Sequence, residues 1–242
     1  MEKKNNFDIL VLNARPAAGK SEVIDYLKRC SREERERRFK ISEFDEIDDF
    51  PMLWTWFEED DILEEMGYPR LHSDEEGYFK GEHLWHLLIR RMCLEYQKKS
   101  TRIANYHDTH TMVIEFSRGT EHGGYREAYH HLSRDVVERM AILYLDVPYS
   151  ESLRKNRARF NPDEPDSILE HGLPDAKLER LYKDVDWQEL TKYDPAYVTI
   201  QGVQVPYVVF ENEDDVTTAR GDALGNRLEA RLQTLWQRWV DR

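Results

Sequence analysis

This sequence predicts an α/β protein with a mostly parallel sheet covered by helices on both faces, and three observations lead there. Short apolar runs alternate with stretches of helical periodicity along most of the 242 residues. Strands separated by helices require crossover connections, which make the strands parallel and bury both faces of the sheet. The first apolar run, Phe7-Asp-Ile-Leu-Val-Leu12, leads through Asn13-Ala-Arg-Pro-Ala-Ala-Gly-Lys-Ser21 straight into an amphipathic stretch. Polar residues then gather just after the apolar runs, at 13–21, 45–49, 115–118, Asp146 and Asn212. Beyond the C-terminal strand ends is where open parallel sheets bind ligands.

Each element has its own warrant. After the strand over 7–12, the residues Val23, Ile24, Tyr26 and Leu27 make one apolar face of a helix over 19–30. A highly charged turn over 31–38 leads to a short strand at 38–42, and the acidic, aromatic stretch 44–67 predicts one or two short helices. Leu84, Leu87, Leu88, Met92, Leu94 and Tyr96 give 81–98 a helical face. A strand over 111–116 precedes a helix over 124–138, and the apolar run 140–146 is a further strand. Pro148 ends it, and the Ser150-Glu-Ser152 segment supplies caps for another helix. Pro162, Pro165, Gly172 and Pro174 make 160–175 irregular, a segment able to close over a ligand. Strands over 197–200 and 206–210 flank a hairpin turn at Gln201-Gly202, and a helix over 216–240 closes the chain. The length suits one large core, so a single domain over 1–242 is expected.

The segment ending in Gly19-Lys20-Ser21 has the local build of a phosphate-binding loop. Backbone N–H groups and a helix N-terminus surround the phosphates, Lys20 reaches their oxygens, and the Ser21 hydroxyl can ligate Mg²⁺. Ala14 stands where this pattern normally opens with Gly, so the first turn of the loop is expected to differ, since Ala tolerates positive φ less well. Arg15 lies inside the same loop and either helps to neutralise phosphate or points to solvent.

On these residues the chain resembles the P-loop kinases of small molecules, the broad group of nucleoside, nucleotide and related metabolite kinases. The resemblance implies a three-layer α/β/α P-loop NTPase fold with a five-stranded sheet in the order 2-3-1-4-5. It also implies ATP and Mg²⁺ as cofactors, with Asn13, Ala14, Arg15, Ala17, Ala18, Gly19, Lys20, Ser21 and Glu22 at the nucleotide. Arg154-Lys-Asn-Arg157-Ala-Arg159 looks like the basic segment leading into the lid of such kinases, within a lid-like region 150–175. Asn212, in Phe210-Glu-Asn-Glu-Asp214, is similar to the place where they pass the nucleotide base. Segment 43–80 falls where they hold the acceptor.

Phosphoryl transfer needs charge neutralisation, a metal bridge and an oriented acceptor. Glu115 ends a buried strand and is the candidate for Mg²⁺ or for the acceptor proton, together with Ser21 as metal ligand. Asp45, Asp48 and Asp49 follow the second strand, with Asp45 taken as closest to its end and as the group orienting a hydroxyl. The alternative is an acidic helix start facing water. Among bases, Lys20 leads. Arg118 either holds a substrate phosphate or pairs with Glu115, while Arg154 and Arg157 share a helix face and can clamp phosphate or form surface ion pairs. Trp54 and Trp56 serve as either a pocket wall or a small helical core. His122, in a Gly-rich loop, is a candidate substrate contact, and the His83/His86 and His107/His110 pairs lack a third ligand for zinc.

Composition narrows the classes further. With 35 basic and 48 acidic residues the net charge is -13, which argues against broad nucleic-acid binding. Cys30 and Cys93 have no metal-ligand spacing and read as reduced thiols, and no run is long enough to span a membrane or act as a signal peptide, so a cytoplasmic protein is expected. The expected activity is an ATP-dependent phosphotransferase on a small hydroxylated or phosphorylated metabolite, a nucleoside or nucleotide included. The alternative is a nucleotide-binding protein or NTPase without kinase activity. Its expected partner is a small-molecule substrate, with a homodimer left open.

Overall fold

The computed structural model describes residues 5–159 and 173–242. Among them, β1 (Ile9–Ala14), β2 (Glu43–Asp48), β3 (His110–Phe116), β4 (Met140–Asp146), β5 (Tyr197–Ile200) and β6 (Val203–Glu211) form one sheet in the order β2-β3-β1-β4-β6-β5. Every pairing is parallel except β5 with β6. The five parallel strands thus keep the expected order, 2-3-1-4 and then the last strand. The sixth strand, β5, is the outer arm of the hairpin at Gln201-Gly202, where both residues have φ > 0, at 49° and 79°.

Side chains alternate across a strand, and here the alternation divides the core into two layers. Leu10, Leu12, Val113, Leu143, Leu145, Val208 and Phe210 face α1 (Lys20–Arg29) and α11 (Asp222–Asp241). Ile9, Val11, Met112, Ile114, Ile142 and Tyr144 face the opposite layer, built from α4 (His83–Ser100), α6 (Gly124–His130), α7 (Arg134–Arg139) and α10 (Trp187–Thr191). That layer is aromatic: Trp187 stacks on Tyr144 with centroids 4.2 Å apart and meets Tyr125 and Tyr207 edge-on. No helix among the described residues is long and apolar enough to cross a membrane.

Several boundaries depart from the sequence-based expectation. The second strand runs over Glu43–Asp48, not 38–42; a short helix α2 (Arg32–Glu34) and a π-helical turn over Arg35–Phe39 precede it. The Arg35 side chain is buried and donates to the carbonyls of Cys30 and Ser42, drawing the charged segment back onto the end of α1. As an edge strand paired only with β3, β2 buries Ile47 alone, so its sequence carries no apolar run. Where one or two short helices were expected, the chain forms one helix of 16 residues, α3 (Phe50–Glu65), with Pro51 in its first turn. The helix expected over 124–138 is broken after His131, where buried Leu132 turns inward and the Ser133 hydroxyl caps α7. α8 (Tyr149–Arg159) begins where expected, and α5 (Tyr106–Thr109) and α9 (Asp175–Tyr182) complete the helices that bear on the site.

Candidate functional site

Gly19 caps α1 at φ +110°, and Ala17 is also left-handed at φ +57°. A Cβ on Gly19 would come within 2.6 Å of Thr217 Oγ1 and 2.9 Å of Asn212 Nδ2, so both conformation and space require glycine. The loop is braced from behind through its carbonyls. Tyr125 donates to Ala14 O at 2.9 Å, Ser152 to Pro16 O at 2.7 Å, and Asn212 Nδ2 to Ala18 O at 2.9 Å. With the carbonyls held in the protein, the concave side of the turn is left to amides at the start of a ten-residue helix, the arrangement that binds phosphate.

Beside this loop opens a cleft of about 750 Å³. Lys20, Ser21, Asp48, Glu115 and Arg159 line its end nearest the loop, and Lys20 Nζ donates to Ser117 Oγ at 2.8 Å. Asp48 and Glu115 are paired register positions at the ends of β2 and β3. Burial, then the Glu115 and Asp49 charges, push the Asp48 carboxyl well above its usual range; burial, then Asp49, raise Glu115 although Lys20 opposes it. Two carboxylates held together away from water, next to one lysine, form a site that favours added positive charge.

α3 and the chain after it build the other end of the cleft. Asp60 is fully buried and accepts from Leu71 N (2.6 Å), Ser73 N (2.6 Å) and Ser73 Oγ (2.7 Å), fastening 71–73 to α3. Burial raises its carboxyl, but the Ser73 hydroxyl and the three backbone donors outweigh that and hold it well below the usual range. Trp54, Phe57, Phe79, Trp85 and Tyr182 line this region. Trp56 instead stacks on His72, centroids 5.0 Å apart, outside the cleft lining. His122 is 2% exposed, stacks on Trp85 at 3.8 Å, and has no hydrogen-bond partner for either ring nitrogen among the described residues. Burial, then the Arg118 charge, lower its pKa to about 3, so the ring is neutral.

The structure moves several expected roles. Lys20, Ser21, Ala17 and Glu115 line the cleft. Asp45 does not: it sits mid-strand in β2, accepting from Tyr106 OH at 2.7 Å and Lys99 Nζ at 3.2 Å, and Asp48, three residues on, takes the place at the strand end. The misplacement follows from the five-residue error in the second strand. Arg118 is 2% exposed and bound to Asp49 at 2.5 Å, to Ser117 O and to Trp85 O, so it pairs neither with Glu115 nor lines the cleft.

Arg154 bonds Glu151 and Asp215, and Arg157 bonds Asp175; their side chains are 55% and 63% exposed and point away from the cleft lining. Arg159 replaces them there, held 3.2 Å from Glu22. Asn13 is a buried brace between Phe116 O and Tyr129 OH, and Arg15 is tied to Val147 O and Lys183 O. Asn212 supports the loop through Ala18 and Thr217, a bracing role in place of a contact to a base. The middle of the lid-like region, 160–172, lies outside the described residues.

Away from the cleft, His86, Glu127 and His131 place one ligand atom each within 4.8 Å of the others, a group that includes neither the His83/His86 nor the His107/His110 pair. The two imidazoles are stacked, 4.2 Å and 20° apart. One ion cannot lie in both ring planes unless a ring turns, so we assign no metal there.

No family model matches the sequence, and comparison with curated proteins finds no match. Among solved structures, the crystal structure of APE1195 is 13% identical at TM-score 0.43, covering 95% of this chain and 98% of its own. A gluconokinase from Sinorhizobium meliloti 1021 is 14% identical at TM-score 0.42, covering 97% and 98%. Shikimate kinase from Acinetobacter baumannii in complex with shikimate is 14% identical at TM-score 0.34, covering 73% and 76%. These likenesses concern the general α/β plan, and at such scores they say nothing of what the chain acts on.

Proposed function

We propose that the protein is an ATP-dependent phosphotransferase acting on a hydroxyl of a small molecule. The observation that carries this reading is the meeting, at one end of one cleft, of a phosphate-binding turn with Lys20 and two strand-end carboxylates, Asp48 and Glu115. A triphosphate seated on 17–21 directs its terminal group toward that pair. Ser21, Asp48 and Glu115 offer the hard oxygen donors that suit Mg²⁺. Burial and nearby negative charge raise both carboxyls, and a bound cation offsets both effects. Magnesium, when bound, neutralises charge on the phosphates.

The chain's own groups do the rest. Lys20 and Arg159 balance charge on the group in flight, and Asp48 accepts the proton of the attacking hydroxyl. The acceptor O–H bond breaks as the new O–P bond forms, and the bond from the γ-phosphorus to its bridging oxygen breaks, leaving ADP. Tyr182, Phe57 and Trp85 make the cleft walls apolar enough to keep competing water out. The test is transfer of the γ-phosphoryl group from ATP across a panel of hydroxyl compounds, with Lys20→Ala as control. ADP and a phosphorylated product in step, lost in the variant, support the reading; tight nucleotide binding with no transfer to any acceptor favours a nucleotide-binding protein.

A further inference from the structure

We infer, resting on the phosphotransferase reading of the cleft, that its acceptor is a hydroxyl-bearing organic cation, an alcohol that also carries an amine or quaternary ammonium group. The end of the cleft remote from the phosphate loop is walled by Trp54, Phe57, Phe79 and Trp85 and edged by Glu58 and Glu82. Among the described residues neither the Glu58 nor the Glu82 carboxylate has an ion-pair partner. Aromatic faces beside unpaired carboxylates are the surroundings that favour ammonium groups.

Of the three positive groups that line that end, Arg70, Lys177 and Arg180, two are held in ion pairs. Arg70 is bound by Asp61 at 2.7 Å and Glu64 at 3.0 Å. Arg180 is bound by Glu121 at 3.0 Å and lies 4.3 Å over the Tyr78 ring; Lys177 donates to Gly77 O at 3.2 Å. Arg118, the one base close to Trp85, is buried against Asp49. Lys20 and Arg159 remain, at the other end, where a triphosphate already brings negative charge. Among the described lining residues of that end, an acceptor bearing phosphate or carboxylate would meet four carboxylates without an ion pair, Glu58, Glu75, Glu76 and Glu82, against one such base, Lys177. A second observation points the same way: buried His122 lines the cleft against Trp85 with both ring nitrogens unpartnered. Its neutral ring keeps a lone pair for an ammonium or hydroxyl proton.

The experiment compares three sets of size-matched hydroxyl compounds: amino and quaternary ammonium alcohols, neutral polyols and nucleosides, and hydroxy acids with sugar phosphates. Binding to the full chain is read by tryptophan fluorescence, and phosphate transfer from ATP is read separately. The cationic set is expected to bind at least about tenfold more tightly than the anionic set, and Glu58→Gln and Glu82→Gln each to weaken that binding about fivefold without weakening a neutral analogue. No saturable binding by the cationic set, or preferred binding by the anionic or neutral set, overturns the inference. Transfer to a hydroxy acid overturns it while leaving the phosphotransferase reading intact. Cationic binding without any transfer has the opposite consequence.

Discussion

Arg118 and Asp49 form a buried ion pair whose removal separates a positioning role from a substrate-binding one. Both side chains are shielded, 2% and 9% exposed, and they meet at 2.5 Å. Arg118→Met keeps most of the volume but leaves Asp49 uncompensated, and the Asp49 charge already raises the carboxyls of Asp48 and Glu115. Breaking one side of such a pair costs about 3–5 kcal/mol. The guanidinium also donates to Ser117 O at 2.6 Å and Trp85 O at 3.3 Å, which places the cost in the upper half of that range. For a chain of this size each kcal/mol lowers Tm by about 2–4 °C, so a fall of about 8–20 °C is expected. Urea denaturation monitored by tryptophan fluorescence measures the loss directly. The double variant Asp49→Asn/Arg118→Met removes both charges and is expected to regain at least about 2 kcal/mol of it, because no isolated charge remains. A single variant that lost turnover while losing less than about 1 kcal/mol of stability would refute this reasoning and return Arg118 to the substrate.

Lys20→Ala is expected to lower kcat/KM by at least about 100-fold with an unchanged unfolding midpoint, since the ammonium acts on phosphate and, among the described residues, bonds only Ser117 Oγ. Asp48→Asn is expected to abolish turnover yet stabilise the free protein at pH 7. The folded-state pKa of Asp48 is raised, so its carboxyl favours folding below the ordinary carboxylate value near ~4 and disfavours it as pH climbs through the raised value. Melting curves across that window should therefore converge with wild type in acid and diverge toward neutrality; an Asp48→Asn protein less stable than wild type at pH 7 would contradict the assigned environment. Asp45→Asn is expected to lower stability by about 1 kcal/mol through Lys99 and Tyr106 while acceptor KM stays the same; a raised KM would restore Asp45 to the site.

Much of the sheet was legible because its buried strands are written as apolar runs. β4 falls on 140–146 as read, and the Gln201-Gly202 turn sits between β5 and β6 as its composition requires. The turn over 17–21 was legible because strand, Gly-Lys-Ser and helix lie consecutively. What the sequence hid are arrangements made by partners distant along the chain. β2 is an acidic edge strand with one buried residue, and reads as loop or helix start; that error put Asp45, not Asp48, at the strand end. The Arg118–Asp49 pair joins residues 69 apart, and Asn212 reaches Ala18 across 194. No periodicity records such contacts. The arginines of α8 were legible as a cluster, but only the position of Glu22 selects Arg159 over Arg154 and Arg157.

The central claim is that the turn over 17–21 presents a triphosphate to Asp48 and Glu115. A crystal structure with a non-hydrolysable ATP analogue and Mg²⁺ tests it most directly. The account predicts phosphate oxygens on the backbone amides that begin α1, Lys20 released from Ser117 to the terminal phosphate, and that phosphate between the ends of β2 and β3, facing the aromatic end of the cleft. A nucleotide bound elsewhere, or one whose terminal phosphate points away from Asp48 and Glu115, would contradict it.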